Sequence, residues 1–572
     1  MLNTPPKLYD LCLDIAVEAN VSVSKFWKKE FRSLPNNVLF DFYYKMFLEK
    51  RLCLLAIELS ELEIFNRILS VKHQRTKFLK SFQSLIDHGA NNADLLIKAY
   101  VVHCQESDPD DLNSIEIGLR IGSFFNEGGL FSYSIEILNI VEEICKRRER
   151  GETTLKMLLD CYHKRIYAET IYCEFEKAAE TCKSSSEVIK ELEALDALPN
   201  LAGLYANYSF LFFVRSEYDE AYSWAIEALR LVNEDLPPRI VIEVLRQASK
   251  SCVVKRKFTP AGLLISQAVN MASELYKVDN HPHYSDTLLD YGFYLLNFDS
   301  IQESVKVYEK ALLIRKEVFQ KNNIRVALGH EDLAYALYVY EYSSGRFYEA
   351  REHVERSVRI MERILPEDHH LLASVKRVKA LILEEIALDE RNNSSLQSQY
   401  FNEAHTLHNA ALNLCFKAFG EKNVQTAKHY GNLGRLFQSM KMYEDAEKMH
   451  LKAIAIKEEL LGENDYEVGL SIGHLASLYN YHMKRHKDAE KLYLRSISIN
   501  LKLFGETYSG LEYDYRGLIN IYTKLVDSSN MIYYMFKMRE WKNLRETIQP
   551  IEHDCELKPV KQVITKFFEM TE

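Results

Sequence analysis

The sequence repeats itself between residues 424 and 522, and this repetition constrains the fold more than any other feature. Leu433 is followed by Leu475 and then by Leu518, each about 42 residues after the last. Four positions after each leucine comes an aromatic residue: Phe437, Tyr479 and Tyr522. A regular period of this length indicates a solenoid, in which each unit buries its apolar face only by stacking on its neighbours.

Within one copy, the spacing of apolar residues predicts two helices. Leu433 and Phe437 lie four apart on one helical face, and Gly434 is small at a position where a second helix must come close. Ala446 and Ala453 return at helical spacing on that second helix. The pattern resembles the tetratricopeptide repeat, and its lengthened second helix is similar to the repeats of kinesin light chains. The resemblance implies an all-α fold, a right-handed superhelical solenoid.

Composition agrees with helix nearly throughout and excludes several classes of function. Only 20 glycines and 12 prolines occur among 572 residues, of which 47% are hydrophobic. The formal net charge of −10 argues against a nucleic-acid binder, which needs a basic stripe. No apolar run reaches the roughly 18 to 20 residues that span a bilayer. We expect a soluble, intracellular protein in the cytoplasm and nucleus.

Weaker copies of the template extend towards the N-terminus and predict nine or ten hairpins over residues 115–545. One copy contains a polar insert, residues 389–399, which predicts a loop between its helices. Residues 1–60 and 61–114 do not follow the repeat and are predicted to be a helical docking segment and a helical connector. Residues 546–572 lose the period and predict a C-terminal helix that caps an exposed apolar face.

Two short motifs precede the repeats. They consist of Leu8, Cys12 and Ala16, and of Leu34, Pro35 and Val38. The first motif places three residues on one helical face and resembles the box with which substrate receptors bind elongin C. The second resembles the box that selects cullin-2. Periodicity alone also fits a different reading, in which these N-terminal helices only cap the first repeat.

Long strings across the chain resemble one family of tetratricopeptide proteins. Among them are FRSLPNNVLFDFYYK, VLRQASKSCVVKRKF, HEDLAYALYVYEYSSGRF and NVQTAKHYGNLGRLFQSM. Members of this family are substrate receptors of ubiquitin ligases built from cullin-2, elongin B, elongin C and a RING-box protein. The resemblance implies recognition of C-terminal degrons that carry an Arg and a terminal or near-terminal Gly. It also implies links to amyloid precursor protein sorting and to microtubules, with membrane association only through cargo.

The sequence contains no motif for catalysis or for a cofactor. There is no GxxxxGK[ST] loop and no HExxH, and the histidine pairs at 369–370 and 405/408 lack a third ligand at metal-binding spacing. We therefore predict a non-catalytic protein without metal or cofactor. A ligase receptor needs no chemistry of its own, because it acts by holding its substrate near a ubiquitin-charged enzyme.

Candidate binding residues follow from the template, because the first helix of each hairpin lines the concave groove in this repeat type. An acidic set is predicted to bind a degron Arg: Asp286, Asp290, Glu331 and Asp332. A basic and amide set is predicted to hold the terminal carboxylate: Lys428, Asn432 and Arg435. Further groove candidates are Arg246, Lys250, Tyr335, Arg377, His474, Asn480 and Arg516. The alternative is that these charges form salt bridges between repeats or a solvated face.

Two other functions fit the repeat pattern. One is a trafficking or motor adaptor that binds the cytoplasmic tails of membrane cargo, and the other is an inert scaffold. The apolar face of the N-terminal region needs a partner. Elongin, the first repeat and a second copy of the chain, giving a homodimer, all remain open for that role.

Overall fold

A computed structural model of the protein describes residues 8–20, 33–106, 112–276, 281–342, 345, 347–390, 392–547 and 556–571. These residues form α-helices joined by short turns and contain no β-strand. The predicted all-α repeat fold is confirmed.

Six helices precede the repeats: α1 (Leu8–Asn20), α2 (Asn36–Leu48), α3 (Leu52–Leu59), α4 (Leu62–Leu69), α5 (Arg75–Asp87) and α6 (Asn92–Glu106). Helix α1 packs on α2, where the Tyr9 hydroxyl donates to Asp41 Oδ2 at 2.8 Å. Phe65 and Phe78 of this region pack against Phe124 of the first repeat, with ring centroids 5.4 and 4.7 Å apart. The N-terminal helices therefore share one hydrophobic core with the solenoid.

Ten helical hairpins follow in the described part of the chain. They are α7 (Asn113–Gly128) with α8 (Phe131–Arg147), α9 (Glu152–Ile171) with α10 (Phe175–Ala194), α11 (Ala202–Val214) with α12 (Tyr218–Arg230), α13 (Pro238–Val254) with α14 (Phe258–Leu275), α15 (Pro282–Asn297) with α16 (Ile301–Phe319), α17 (Ile324–Glu341) with α18 (Tyr348–Ile364), α19 (Leu371–Asp389) with α20 (Ser394–Phe419), α21 (Val424–Ser439) with α22 (Tyr443–Leu461), α23 (Tyr466–Ser477) with α24 (His486–Phe504), and α25 (Leu511–Lys524) with α26 (Ser528–Glu546). A π-helical turn, Leu478–His482, extends α23.

Close contact between the two helices of a hairpin explains the small residues of the template. A Cβ added to Gly434 would lie 2.8 Å from His450 Cε1, so only glycine fits between α21 and α22 without displacing that imidazole. Serine hydroxyls also join paired helices, as where Ser304 Oγ of α16 donates to Gly292 O of α15 at 2.9 Å. The prediction that Gly434 marks a close approach is confirmed.

Most hairpin turns contain one residue in the left-handed backbone region, which reverses the chain. These residues are Gly129, Cys173, Ser216, Arg256, Asp299, Gly345, Lys441, Lys484 and Val526. Only two of the nine are glycines, so the turn is recognisable from its position in the repeat and not from its residue type.

The first helices of successive hairpins contact one another along the inside of the superhelix and line a concave channel. One superhelical turn takes about five hairpins, and consecutive turns touch. Asn323 Nδ2 donates to Gly128 O, Asn423 Nδ2 donates to Arg215 O, and the Ser509 amide donates to Asp299 Oδ2, at 2.8 to 2.9 Å. These pairs are 195 to 210 residues apart. We call this row of contacts the seam.

Two regions outside the regular repeats have their own structure. The insert predicted as a loop is mostly helix, because α20 begins at Ser394 with Asn393 as its N-cap, accepting from Leu396 N at 3.1 Å. That prediction is wrong for residues 394–399, which form a largely exposed start of helix, and it holds for Glu390, Asn392 and Asn393, which lie between the two helices. In the tail, α27 (Val560–Thr571) packs against α14, four hairpins into the solenoid.

Candidate functional site

A group of buried charges in the channel forms a network around Asp286. Its carboxylate accepts from Arg315 at 2.7 Å and from Arg325 at 3.1 Å, and His283 Nδ1 lies 3.6 Å away. Burial alone would raise the pKa of Asp286, but Arg325, His283 and Arg315 hold it well below its usual range. We call these four residues the Asp286 network. Both oxygens of Asp286 are engaged, so it stabilises the junction of α15, α16 and α17.

Asp290, one helical turn further along α15, is also paired within the protein. Arg246 Nη2 lies 2.7 Å from its Oδ2 and Lys250 Nζ lies 3.3 Å from its Oδ1. The Lys250 ammonium additionally sits 4.9 Å from the ring centroids of Phe210 and Phe213. Arg246 and Lys250 therefore neutralise the charge of Asp290. They do not indicate a separate anion-binding site.

Glu331 and Asp332 differ from these carboxylates, because neither has a cation within 4.0 Å among the described residues. Burial and the neighbouring Asp332 raise the pKa of Glu331 to about 7, and burial raises that of Asp332 to about 6. On the facing helix, the Arg377 guanidinium lies 5.1 Å from the ring of Tyr335 and makes no ion pair within the described chain. The channel thus holds two carboxylates and one guanidinium that form no ion pair within the described residues, although the Arg377 charge is close enough to oppose the raised pKa of Glu331.

Lys428 of the predicted carboxylate clamp lies in a triad with two residues that sequence analysis did not select. Its Nζ is 3.0 Å from Glu467 Oε1, and Lys457 Nζ is 3.0 Å from Glu467 Oε2. Burial would lower the pKa of Lys428, but Glu467 raises it. Asn432 is half-buried one turn further along α21. The Lys428 charge is therefore shared with Glu467 before any ligand binds.

Arg435 is surrounded by carboxylates that outnumber it. Its Nη2 lies 3.0 Å from Glu385 Oε1 and 3.5 Å from Glu384 Oε2, and it donates to the Tyr338 hydroxyl at 3.2 Å. Burial raises the pKa of Glu385 to about 7 although Arg435 opposes this shift. We call Arg435, Glu384 and Glu385 the Arg435 cluster.

A cavity of about 390 Å³ opens beside the Arg435 cluster. Its wall includes Tyr342, His474, Tyr508, Tyr513 and Asp514. Asp514 accepts from Ser496 at 2.8 Å and from Asn500 at 3.3 Å, yet burial raises its pKa to about 7. Three carboxylates and one guanidinium thus border this cavity, and only Glu384 and Glu385 pair with the guanidinium, which favours a cationic or hydrogen-bond-donating guest.

The remaining groove candidates fall into different surroundings. Burial lowers the pKa of His474 well below its usual range, so this side chain is neutral in the cavity wall. Asn480 is buried in the π-helical turn, where its amide donates to Gly517 O at 3.1 Å and joins two repeats. Arg516 is exposed and pairs with Glu512 of its own helix. Of these three, only His474 borders the cavity.

Two of the three predicted elongin-binding residues lie on the exposed side of α1. Leu8 and Cys12 are exposed, while Ala16 is half-buried against the core. The sequence motif missed Leu11 and Ile15, which are exposed beside them. Leu34 and Val38 are half-buried and Pro35 is exposed at the start of α2. Residues 21–32, which join the two motifs, lie outside the described residues.

Sequence reasoning missed the carboxylates of the Arg435 cluster. The template used only a few positions of each first helix, and Glu384 and Glu385 of α19 are not among them. A count of all charges on the first helices would have found them. In the described ranges, no group of three or more His, Cys, Asp or Glu residues could hold a metal ion. None of the helices described is long and apolar enough to cross a membrane.

The chain is similar in sequence to tetratricopeptide repeat proteins. Tetratricopeptide repeat models match residues 339–371 and 396–459. Two proteins called amyloid protein-binding protein 2, from Mus musculus and Rattus norvegicus, are each 46% identical over 546 residues, covering 95% of this chain and 92% of theirs. A crystal structure of kinesin light chain TPR-like repeats from Podosopora anserina is 18% identical over 39% of this chain and 97% of that chain, with a TM-score of 0.29.

Proposed function

Because this chain belongs to the amyloid protein-binding protein 2 family, we propose that it is the substrate receptor of a cullin-2 RING ubiquitin ligase. In this proposal α1 docks on elongin C, which brings elongin B, and the start of α2 meets cullin-2, which brings the RING-box protein. The channel holds the C-terminal peptide of a substrate in the cytoplasm or nucleus. The receptor contributes proximity and no catalytic group.

The observation that carries the proposal is the exposed apolar face of α1. Leu8 is 77% exposed and Ile15 is 65% exposed, and Leu11 and Cys12 lie between them. Opposite this face, Val17 is buried and Arg51 donates to its carbonyl at 3.1 Å, so the helix is anchored from behind. An anchored helix with an open apolar face fits a site for a partner protein.

Inside the channel, charged residues without an ion pair among the described residues define two subsites for the peptide. Glu331 and Asp332 would bind the degron Arg, because both are carboxylates without an ion-pair partner within the described residues and burial raises the pKa of each. Arg377 would bind the terminal carboxylate. Arg435, which the sequence suggested for this role, is already paired with Glu384 and Glu385. Asp286 and Asp290 take supporting roles, since both are paired within the protein.

Docking on elongin is tested with the full chain co-expressed with elongin B and elongin C. Leu8→Ser combined with Ile15→Asp should abolish co-purification, while Glu18→Gln, an exposed polar change on the same helix, should not. Thermal unfolding should be unchanged in both, because the altered side chains are exposed. Full retention of elongin by the double variant would refute the docking role of α1.

Peptide capture is tested by the affinity of the full chain for a peptide with an Arg and a terminal Gly. Glu331→Gln with Asp332→Asn should weaken binding about 10- to 100-fold, with Glu349→Gln on the outer helix as the matched control. Amidation of the peptide should cost a similar factor for the wild type but little for Arg377→Gln. Equal losses on amidation in both proteins would show that Arg377 does not bind the carboxylate.

The second candidate function is an adaptor for membrane cargo, and the name of the relatives, amyloid protein-binding protein 2, favours it. In that case the same channel would bind the cytoplasmic tail of amyloid precursor protein and connect it to microtubules. Binding of that tail to the full chain, with competition by the Arg and Gly peptide, would show whether one channel serves both. Loss of tail binding on Leu8→Ser with Ile15→Asp would instead place the tail on α1.

A further inference from the structure

The cavity of about 390 Å³ beside the Arg435 cluster is bordered by residues of four consecutive first helices, α19, α21, α23 and α25. Three carboxylates reach it, and all are mostly buried: Glu384 is 1% exposed, Asp514 is 2% exposed, and the side chain of Glu385 is 11% exposed. Taking a carboxylate out of water costs free energy unless hydrogen bonds or a counter-charge replace the water. The surroundings of these three groups therefore indicate what the cavity can hold.

The hydrogen bonds of the cavity wall leave two buried acceptors without a donor. Glu384 Oε1 accepts from the Ser439 hydroxyl at 2.8 Å, but its Oε2 makes no hydrogen bond within the described residues and lies 3.5 Å from Arg435 Nη2. Asn500 donates to Asp514 Oδ2 at 3.3 Å, while its own Oδ1 accepts no hydrogen bond from the described chain. In the described part of the wall, no buried side-chain donor lacks a partner. A guest that donates hydrogen bonds is therefore favoured, because it would satisfy both acceptors.

Tyrosine rings make up much of the remaining wall: Tyr342, Tyr466, Tyr508 and Tyr513. Tyr342 and Tyr513 are exposed, so ring surface is open to a guest. The face of a tyrosine ring attracts cations, and a planar guanidinium group stacks on it. Tyr466 already has the Arg256 guanidinium 4.6 Å from its ring centroid. The wall thus offers an organic cation both carboxylates and aromatic faces.

Arg435 shows within the protein how this wall holds a guanidinium group. Its Nη2 lies 3.0 Å from Glu385 Oε1 and donates to the Tyr338 hydroxyl at 3.2 Å. Three carboxylates against this one guanidinium leave an excess of negative charge when all are ionised. Burial accordingly raises the pKa of Glu385 and that of Asp514 to about 7. A second cation in the cavity would take the place of the protons that these groups hold.

We propose that the cavity beside Arg435 is a further cation site of the channel, which binds an alkyl guanidinium group between the carboxylates of Glu384, Glu385 and Asp514 and the tyrosine rings. The group can belong to a free small molecule or to an Arg side chain of a bound protein, because both present the same planar set of donors. Neither Glu331 nor Arg377 borders this cavity. The site is therefore separate from the proposed peptide subsites and does not depend on them.

The test uses n-butylguanidinium and its neutral isostere n-butylurea, with binding measured by titration calorimetry. The protein is the full chain with Glu331→Gln and Asp332→Asn, so that the first subsite does not compete. It should bind butylguanidinium about tenfold or more tightly than butylurea. Adding Glu385→Gln and Asp514→Asn should weaken butylguanidinium binding about tenfold or more. Glu512→Gln, on α25 but outside the cavity wall, is the matched control and should leave the affinity unchanged.

Binding should also depend on pH, because the guest replaces protons on Glu385 and Asp514. Butylguanidinium should bind about tenfold more tightly at pH 8 than at pH 6. The other titratable groups near these two carboxylates are Glu384, Asp389, Arg435, His474, Tyr338, Tyr342, Tyr466, Tyr508 and Tyr513. Burial lowers the pKa of His474, and desolvation of the hydroxyl groups raises the pKa of all five tyrosines, so these groups stay neutral over this range.

Competition with peptides distinguishes the two sources of the guanidinium group. If the source is a substrate, a peptide with an Arg and a terminal Gly should displace butylguanidinium, and the same peptide with citrulline in place of Arg should not. If neither peptide displaces it, the cavity takes a separate small cation. Two results would overturn the proposal: equal affinity for butylguanidinium and butylurea, or binding that survives Glu385→Gln with Asp514→Asn. Both are measured without Glu331 and Asp332, so this site and the peptide subsites fail separately.

Discussion

The Asp286 network and the Arg435 cluster both include charges on the first helices of hairpins but have opposite charge balance. In the first, two guanidinium groups and an imidazole surround one carboxylate, and all are buried. In the second, two carboxylates surround one guanidinium beside a cavity that also contains Asp514. The position of a charge on the concave face therefore does not reveal whether it serves stability or binding. The balance between that charge and the neighbouring charges indicates which of the two roles it has.

The largest expected difference between the two groups is in stability. Asp286→Asn leaves Arg315 and Arg325 buried without a counter-charge and should lower the free energy of unfolding by about 3–5 kcal/mol. Glu385→Gln should change it by less than about 1 kcal/mol, because Glu384 still pairs with Arg435. Chemical denaturation at neutral pH measures both. Equal losses would remove the distinction between the network and the cluster.

A second prediction uses pH at the cavity. The folded pKa of Asp514, about 7, lies above its usual value of 3.8, so the folded state binds more protons and stability falls as pH rises from about 4 to 7. Asp514→Asn avoids this penalty and should be more stable than the wild type by on the order of 2–4 kcal/mol at pH 8.

The advantage of Asp514→Asn should shrink steadily below pH 7 and vanish near pH 4. Denaturation curves at several pH values measure it, and Asp286→Asn serves as the contrasting variant. Asp286 has a lowered pKa, so its contribution is complete above pH 3.8 and constant between pH 5 and 8. An advantage of Asp514→Asn that did not vary with pH would contradict the raised pKa.

The smallest effect is expected from removing the single cation of the cluster. Arg435→Met leaves Glu384 and Glu385 facing each other and should cost about 1–2 kcal/mol at pH 7.5. The cost should be smaller at pH 5.5, where the carboxylates take up protons. Lys428→Met is the control, because Glu467 keeps Lys457 as a partner. A cost independent of pH would mean that Arg435 acts through packing alone.

Periodicity was sufficient to predict the helical hairpins but not how they pack over long distances. Leu433, Gly434 and Phe437 marked the first helix of a repeat, and Gly434 does face His450 across the hairpin. The seam could not be predicted, because the sequence pattern relates each repeat only to the next one. It gives no information about contacts between residues about 200 positions apart. The insert was misread because polar composition does not prevent a capped helix such as α20.

For the candidate site, sequence located charges but not their partners. Asp286 and Glu331 satisfy the same template, yet Asp286 pairs with two arginines and Glu331 forms no ion pair within the described residues. Arg315 lies on a second helix and Arg325 at the start of a first helix, both positions that the template leaves out. The exposed face of α1 is likewise set by the packing of α1 on α2. The sequence does not show this packing, so Leu11 and Ile15 were not selected as exposed residues of the docking face.

The seam has a consequence for how the chain folds. In an ordinary solenoid each repeat contacts only its neighbours, so repeats can be lost and folding can spread from any point. Here Asn323 and Asn423 cap their own helices and also donate to backbone carbonyls of the preceding superhelical turn. That whole superhelical turn must therefore be folded before both asparagines can make these hydrogen bonds. Such distant contacts raise the contact order, which slows folding and makes unfolding more cooperative. Deleting a hairpin between paired residues would bring the asparagine opposite the wrong part of the solenoid, so these contacts fix the number of hairpins between Gly128 and Asn323 and between Arg215 and Asn423.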